Sequence, residues 1–166
     1  MKRTAKWDEV VAYHEAGHLV AARDQRVKVH RVSIEPAEDS AGRVHHAPIM
    51  GRFNLEDDVS PQVRIRGERL IRICLAGPIA QRQFNPRSWR HYAEADYEKA
   101  ADMILRLATP GEHAETYMRL LMIEARQIVD YYWDMISALA TELMKRREMS
   151  GRAVAAFTNQ LQAGGL

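Results

Sequence analysis

Apolar positions in the first stretch of the chain repeat with the period of a helix. Val10, Val11, His14, His18 and Ala21 recur at spacings of three, four and seven, which gathers them on one side of a helix. Trp7-Asp8 precedes the pattern, with Asp8 as a candidate N-cap. Gly17 falls inside it, at a cost of about 0.8–1.0 kcal/mol relative to alanine. A glycine kept there predicts close approach by another backbone or by a substrate. The period then shortens to two. Val27 and Val29, then Val32 and Ile34, alternate on either side of His30-Arg31, predicting a strand with an irregularity at that dipeptide. Pro36 stops it, 37–42 has turn composition, and Arg43-Val44-His45-His46-Ala47-Pro48 offers a second short strand.

The helical period returns after a loop over 49–58. Ser60 is a candidate N-cap with Pro61 at the first helical position. Val63, Ile65, Leu70, Ile73, Cys74 and Leu75 carry this helix to Ala76-Gly77-Pro78, followed by a further apolar turn at Ile79-Ala80 and a break at Asn85-Pro86. Another helix opens near Glu94, buries Ala100, Met103, Ile104 and Leu107, and ends at Thr109-Pro110-Gly111. One long helix is predicted over 115–147, where methionines and aromatics keep the helical period and read as core filling. Ser150-Gly151 restarts a short helix to about 162. The expected fold is mainly α with a small β-hairpin or sheet. It is one domain over 1–166, divided into a first helix (1–25), a hairpin (27–48), middle helices (60–108) and C-terminal helices (115–162).

Composition narrows the function classes. A chain of 166 residues can bury a core without a disulfide or metal staple. Cys74 is the single cysteine, so no internal disulfide forms, and its apolar setting predicts a small buried hydrophobe in a reducing compartment. Lys and Arg number 24 against 22 Asp and Glu, a net charge of +2, dispersed rather than clustered, so nucleic acid is not an expected partner. No run of 18 apolar residues suggests a membrane span, and no apolar core follows the basic N-terminus. A cytoplasmic protein is expected.

The chemistry concentrates in His14-Glu15-Ala16-Gly17-His18. Residues four apart on a helix share a face, with Cβ atoms about 5–6 Å apart. His14 and His18 can therefore turn imidazole nitrogens to one point, as the HExxH pattern does for zinc, with Glu15 beside the metal as a general base for water. The small, apolar neighbours Val10, Val11, Ala12, Ala16, Ala21 and Ala22 predict burial, and buried histidines beside a buried glutamate need a partner to offset desolvation. A catalytic zinc needs a third protein ligand. A local solution through Asp24 requires a sharp turn, and Ala21 stands where the glycine for that turn would be. The distant candidates are His30, His45, His46, His91, Glu94, Asp96, Asp102 and His113, and spacing alone does not choose among them. Asp96 by itself reads as a first-turn acid of a helix.

The chain resembles the peptidase domain of the FtsH family of ATP-dependent zinc metalloproteases. The resemblance runs from Val11-Ala12-Tyr13-His14-Glu15-Ala16-Gly17-His18 through Val32-Ser33-Ile34-Glu35-Pro36 and Gly42 to Leu75-Ala76-Gly77-Pro78, and then to Asp96-Tyr97-Glu98-Lys99-Ala100-Ala101. It implies a zincin-type HExxH helix, one zinc ion held by His14, His18 and Asp96, and Glu15 as the catalytic residue. It departs at Pro78, where the family carries arginine, at Gln81, near the family's acidic pair, and at Glu94-Ala95, where the family has Gly-Ala. No GxxxxGK[ST] loop occurs, so the implied enzyme is a stand-alone endopeptidase acting on peptides or unfolded segments, fed where necessary by a separate ATPase. A free strand edge near 32–36 or 44–47 is expected to hold such a substrate extended. The alternative is an inactive metal-binding adaptor or regulator of a protein partner, for which a fourth protein ligand, such as His45, His46 or His91, would close the site.

Overall fold

A computed structural model describes residues 5–36, 42–51, 58, 60–88, 93–108 and 111–165. The turn expected at 37–41, the helix stop at Thr109-Pro110 and the candidate ligand His91 lie outside these residues. The architecture is mainly helical with a small antiparallel sheet. Helix α1 spans Ala5–Asp24. Between Val10 and Ala22 every residue except Tyr13 is buried, so α1 is a central helix enclosed on all sides rather than a surface helix with one apolar stripe. It packs on α2 (Pro61–Phe84), on α4 (Glu112–Tyr131) and on α5 (Trp133–Arg146). Tyr13 stacks on Phe84 at 3.9 Å and on Trp133 at 5.5 Å between ring centroids, tying the end of α2 and the start of α5 to the middle of α1.

Two expectations are corrected here. Helix α2 does not stop at Ala76-Gly77-Pro78 but continues to Phe84, with Pro78 inside it. An internal proline costs roughly 3 kcal/mol because it cannot donate to the carbonyl four residues back. Here the residues from Ile73 to Gln81 are all buried, and this packing sustains the helix through the break. The long helix over 115–147 is two helices. Tyr132, at φ −102° and ψ 21°, divides α4 from α5. A straight helix of that length would extend about 50 Å, well past the core; the bend returns α5 onto α1.

The sheet has order β2-β1-β3, with β1 at Val29–Ser33, β2 at Arg43–His46 and β3 at Glu148–Ser150. The expected irregularity is a register shift between Val29 and Arg31 against His46 and His45, which leaves His30 as the extra residue of a bulge. Strand β3 was not expected. Arg147 takes a left-handed conformation, φ 65°, to end α5, and the next three residues pair antiparallel with β1. Strand β1 is thus paired on both sides over Arg31–Ser33, and Ile34 N donates to the Arg147 carbonyl at 2.9 Å, so the substrate edge expected near 32–36 is taken up over 32–34. Among the described residues, the outer edge of β2 has no strand partner. Helix α3 (Ala93–Leu107) packs on α2, and α6 (Gly151–Ala163) starts from the N-cap Ser150. No helix among the described residues is long and apolar enough to cross a membrane.

Candidate metal centre

Three of the residues singled out above meet at one point. His14 and His18 come from successive turns of α1, and Asp96 from the first turn of α3. The two Nε2 atoms are 3.0 Å apart. Asp96 Oδ2 lies 3.0 Å from His14 Nε2 and 3.3 Å from His18 Nε2. These three could hold a metal ion, and they are the only such group of ligand atoms among the described residues.

The hydrogen bonds on the far sides of the rings decide what the near sides offer. His18 Nδ1 is 2.7 Å from the Ile73 carbonyl, which can only accept, so Nδ1 carries the proton. His14 Nδ1 is 2.8 Å from Gln81 Oε1. The Gln81 amide is oriented by donating its Nε2 to the Ser88 carbonyl at 2.6 Å, so its oxygen faces the ring and His14 Nδ1 is also the donor. Both Nε2 lone pairs then point at a carboxylate oxygen. Three acceptors at this separation repel one another unless a cation or protons lie between them. Around a tetrahedral ion with bonds of about 2.0–2.1 Å, ligand atoms sit about 3.3 Å apart, close to the spacings found. The donor set fits a metal.

Glycines make the geometry possible. A Cβ on Gly77 would stand 2.4 Å from His18 Nε2, so α2 can lie against the imidazole only without a side chain there. A Cβ on Gly17 would stand 2.6 Å from the Ala76 carbonyl oxygen; the close approach predicted for this residue is by the backbone of α2. On the opposite side a Cβ on Gly42 would stand 2.7 Å from Glu15 Oε1.

His14, Glu15, His18 and Asp96 line a cavity of about 540 Å³, walled by Arg43, Val44 and His46 of β2 and by Glu94, Glu98 and Lys99 of α3. Glu15 is only 4% exposed. Burial raises its pKa above the ordinary value, partly opposed by His14 and His18. Burial pulls the His18 pKa down, but the Asp96 carboxylate outweighs it and lifts the value to about 9. Burial likewise pushes Asp96 up, and His18 and His14 overcome it, holding the carboxyl well below its usual range. Without a metal, a proton between His18 and Asp96 would relieve the same repulsion. Cys74 also lines the cavity; burial pushes its thiol up to about 12, so it is a protonated, inert wall.

The other candidates stay apart. The Asp24 carboxylate accepts from Gln25 Nε2 at 2.7 Å. His46 faces the cavity with Nδ1 2.9 Å from the Ala47 carbonyl. His30, His45 and His113 are exposed. Asp102 pairs with Arg106 at 3.1 Å, and Glu94 lies on the cavity wall. Gln81, fully buried, was read from sequence only as a departure from a family pattern. Its signal was a polar side chain one turn beyond Gly77 in an otherwise apolar run. The chain matches no protein-family model and no curated protein.

Proposed function

We propose that this chain is a zinc-dependent endopeptidase of the FtsH-peptidase kind. The observation that carries the reading is the buried Glu15 carboxylate in the same cavity as the three converging ligand atoms. A site that held metal only for structure would need no such base. A metal there would have three protein ligands among the described residues, the number that leaves a position open for chemistry.

A zinc held by His14, His18 and Asp96 would supply Lewis acidity for polarising a peptide carbonyl and acidifying water. Glu15, in the same cavity, is placed to take a proton from the attacking water and pass it to the leaving nitrogen. Burial raises its pKa, which strengthens it as the base. Gln81 and the Ile73 carbonyl hold the two imidazoles in the tautomer that presents Nε2. The outer edge of β2, on the cavity wall, offers main-chain hydrogen bonds to an extended peptide. Such an edge accepts peptides and unfolded segments. A folded substrate would need unfolding by a separate ATPase, since the sequence has no phosphate-binding GxxxxGK[ST] loop. With one buried cysteine the enzyme suits a reducing compartment, the cytoplasm.

The test is digestion of casein and of a quenched fluorescent peptide by zinc-loaded protein. Glu15→Gln should retain stoichiometric zinc and lose cleavage by about 10²–10⁴-fold. Full cleavage by that variant would remove Glu15 from the mechanism. A wild-type protein that binds one zinc and cuts nothing would turn the reading to a metal-binding adaptor.

A further inference from the structure

A second concavity, of about 650 Å³, lies at the C-terminal end of α1, within the roughly 300–1,000 Å³ range of small-molecule sites. Its floor is apolar and belongs to the core: Leu19, Val20, Leu139 and Val154. Its rim carries Arg23, Arg26, Lys28, His30 and Arg152, and no acidic residue lines it.

Among the described residues, no carboxylate faces the charges on this rim. Some arginines elsewhere, Arg31, Arg72, Arg106, Arg146 and Arg147, each meet a carboxylate. Among the described residues, Arg26, Lys28 and Arg152 form no ion pair. Arg23 is held by neutral oxygens, Thr158 Oγ1 at 2.7 Å, Asn159 Oδ1 at 3.3 Å and Gln162 Oε1 at 2.6 Å. The neighbouring acid, Asp24, is engaged by Gln25 and by the Tyr132 hydroxyl. Cations gathered around an apolar hollow without counter-charge complement an anion that carries an apolar body.

The backbone argues against a peptide as that anion. Strand β1 pairs with β3 over Arg31–Ser33, Gly151 at the start of α6 lies against the Val29 carbonyl, and the Lys28 carbonyl accepts from Ala47 N at 2.7 Å, which leaves an extended chain little edge to pair with here. We propose that this concavity binds an amphiphilic carboxylate. Its acyl chain lies against the half-buried Val27 and Val29 and the exposed Ala155, above the buried Leu19, Leu139 and Val154, and its head group sits among Arg26, Lys28 and Arg152. The proposal does not depend on the metal centre.

The test is calorimetric titration of the whole chain with dodecanoate below its micelle-forming concentration. Dodecanol and dodecyltrimethylammonium serve as controls with the same chain. The expected result is saturable one-to-one binding of dodecanoate alone. The exposed pair Lys28→Glu/Arg152→Glu should weaken it by at least about tenfold. Ala155→Trp, an exposed lining position, should block it with the thermal melt unchanged. Non-saturating uptake, equal binding of the alcohol or the ammonium, or an affinity unmoved by charge reversal in a folded variant would overturn the proposal.

Discussion

His14 and His18 reach the centre from a helix enclosed on every side, whereas Asp96 reaches it from the first turn of α3 at the rim of the cavity. The histidine side chains are 7% and 11% exposed, against 21% for Asp96. The histidines are each fixed by a buried hydrogen bond from the far nitrogen. Asp96 is fixed mainly by the histidines themselves. One half of the centre is thus part of the core, and the other half lies against it from the cavity rim. The core half should resist change until the α1–α2 seam itself is disturbed. The α3 half should set how tightly, and at what pH, a cation is held.

The comparison breaks most severely at the seam. Gly77→Val places a side chain where the His18 ring stands. It is expected to abolish stoichiometric metal and to destabilise the fold by about 3 kcal/mol or more, read by metal content and urea unfolding. Asp96→Asn keeps the shape of the α3 half but removes its charge. The fold should survive, and zinc affinity in a chelator competition should fall by more than the roughly 10–100-fold of an outer partner. A variant that binds zinc as tightly as wild type would take Asp96 out of the centre.

Gln81→Leu tests the seam more gently. It frees His14 Nδ1 and leaves the Ser88 carbonyl without its donor. Zinc affinity is expected to drop by about 10–100-fold, with about 1–3 kcal/mol lost from the unpaired polar groups. Gln81→Glu, which keeps an acceptor on the ring, should recover most of the affinity.

The gentlest test changes no residue, only the pH. His18 in the metal-free protein is raised from 6.5 to about 9. A raised value means that the protonated His18–Asp96 pair contributes fully below pH 6.5 and is lost as pH climbs through about 9. Asp96 is shifted the other way, so its contribution is present above the ordinary carboxyl range and fades as pH falls through its depressed value. Melts of metal-free protein should therefore soften between pH 6.5 and 9. Zinc displaces that proton, so its affinity should rise over the same window by about tenfold per pH unit. A metal affinity flat across that range would contradict the shared proton.

What the sequence made legible follows the same division. His14, Glu15 and His18 could be placed together because their geometry is set within five residues of one helix. The small residues around them predicted burial, and Gly17 predicted the backbone contact that Ala76 makes. Asp96 could not be chosen by spacing, because α3 is brought to α1 by the packing of both on α2 and α4; the family resemblance pointed to it, and the geometry brings it to the histidines. Gln81 was hidden by the reading of Gly77-Pro78 as a helix end. Its place opposite His14 exists only because α2 continues a further turn, and burial rather than local propensity decides that. Strand β3 is three residues long, too short to show a period of two. The bend at Tyr132 interrupts an apolar pattern that reads continuously, since the partner that demands it, α1, is more than 100 residues away in sequence.

The central claim is that His14, His18 and Asp96 are the protein ligands of one zinc with a position left open. Zinc-edge X-ray absorption on the reconstituted protein, wild type beside Asp96→Ala, tests it most directly. The account predicts one zinc per chain with two imidazole nitrogens and oxygen donors, and a changed oxygen shell in the variant. A closed shell of four protein ligands, a shell containing sulfur, or a spectrum unaltered by Asp96→Ala would contradict it.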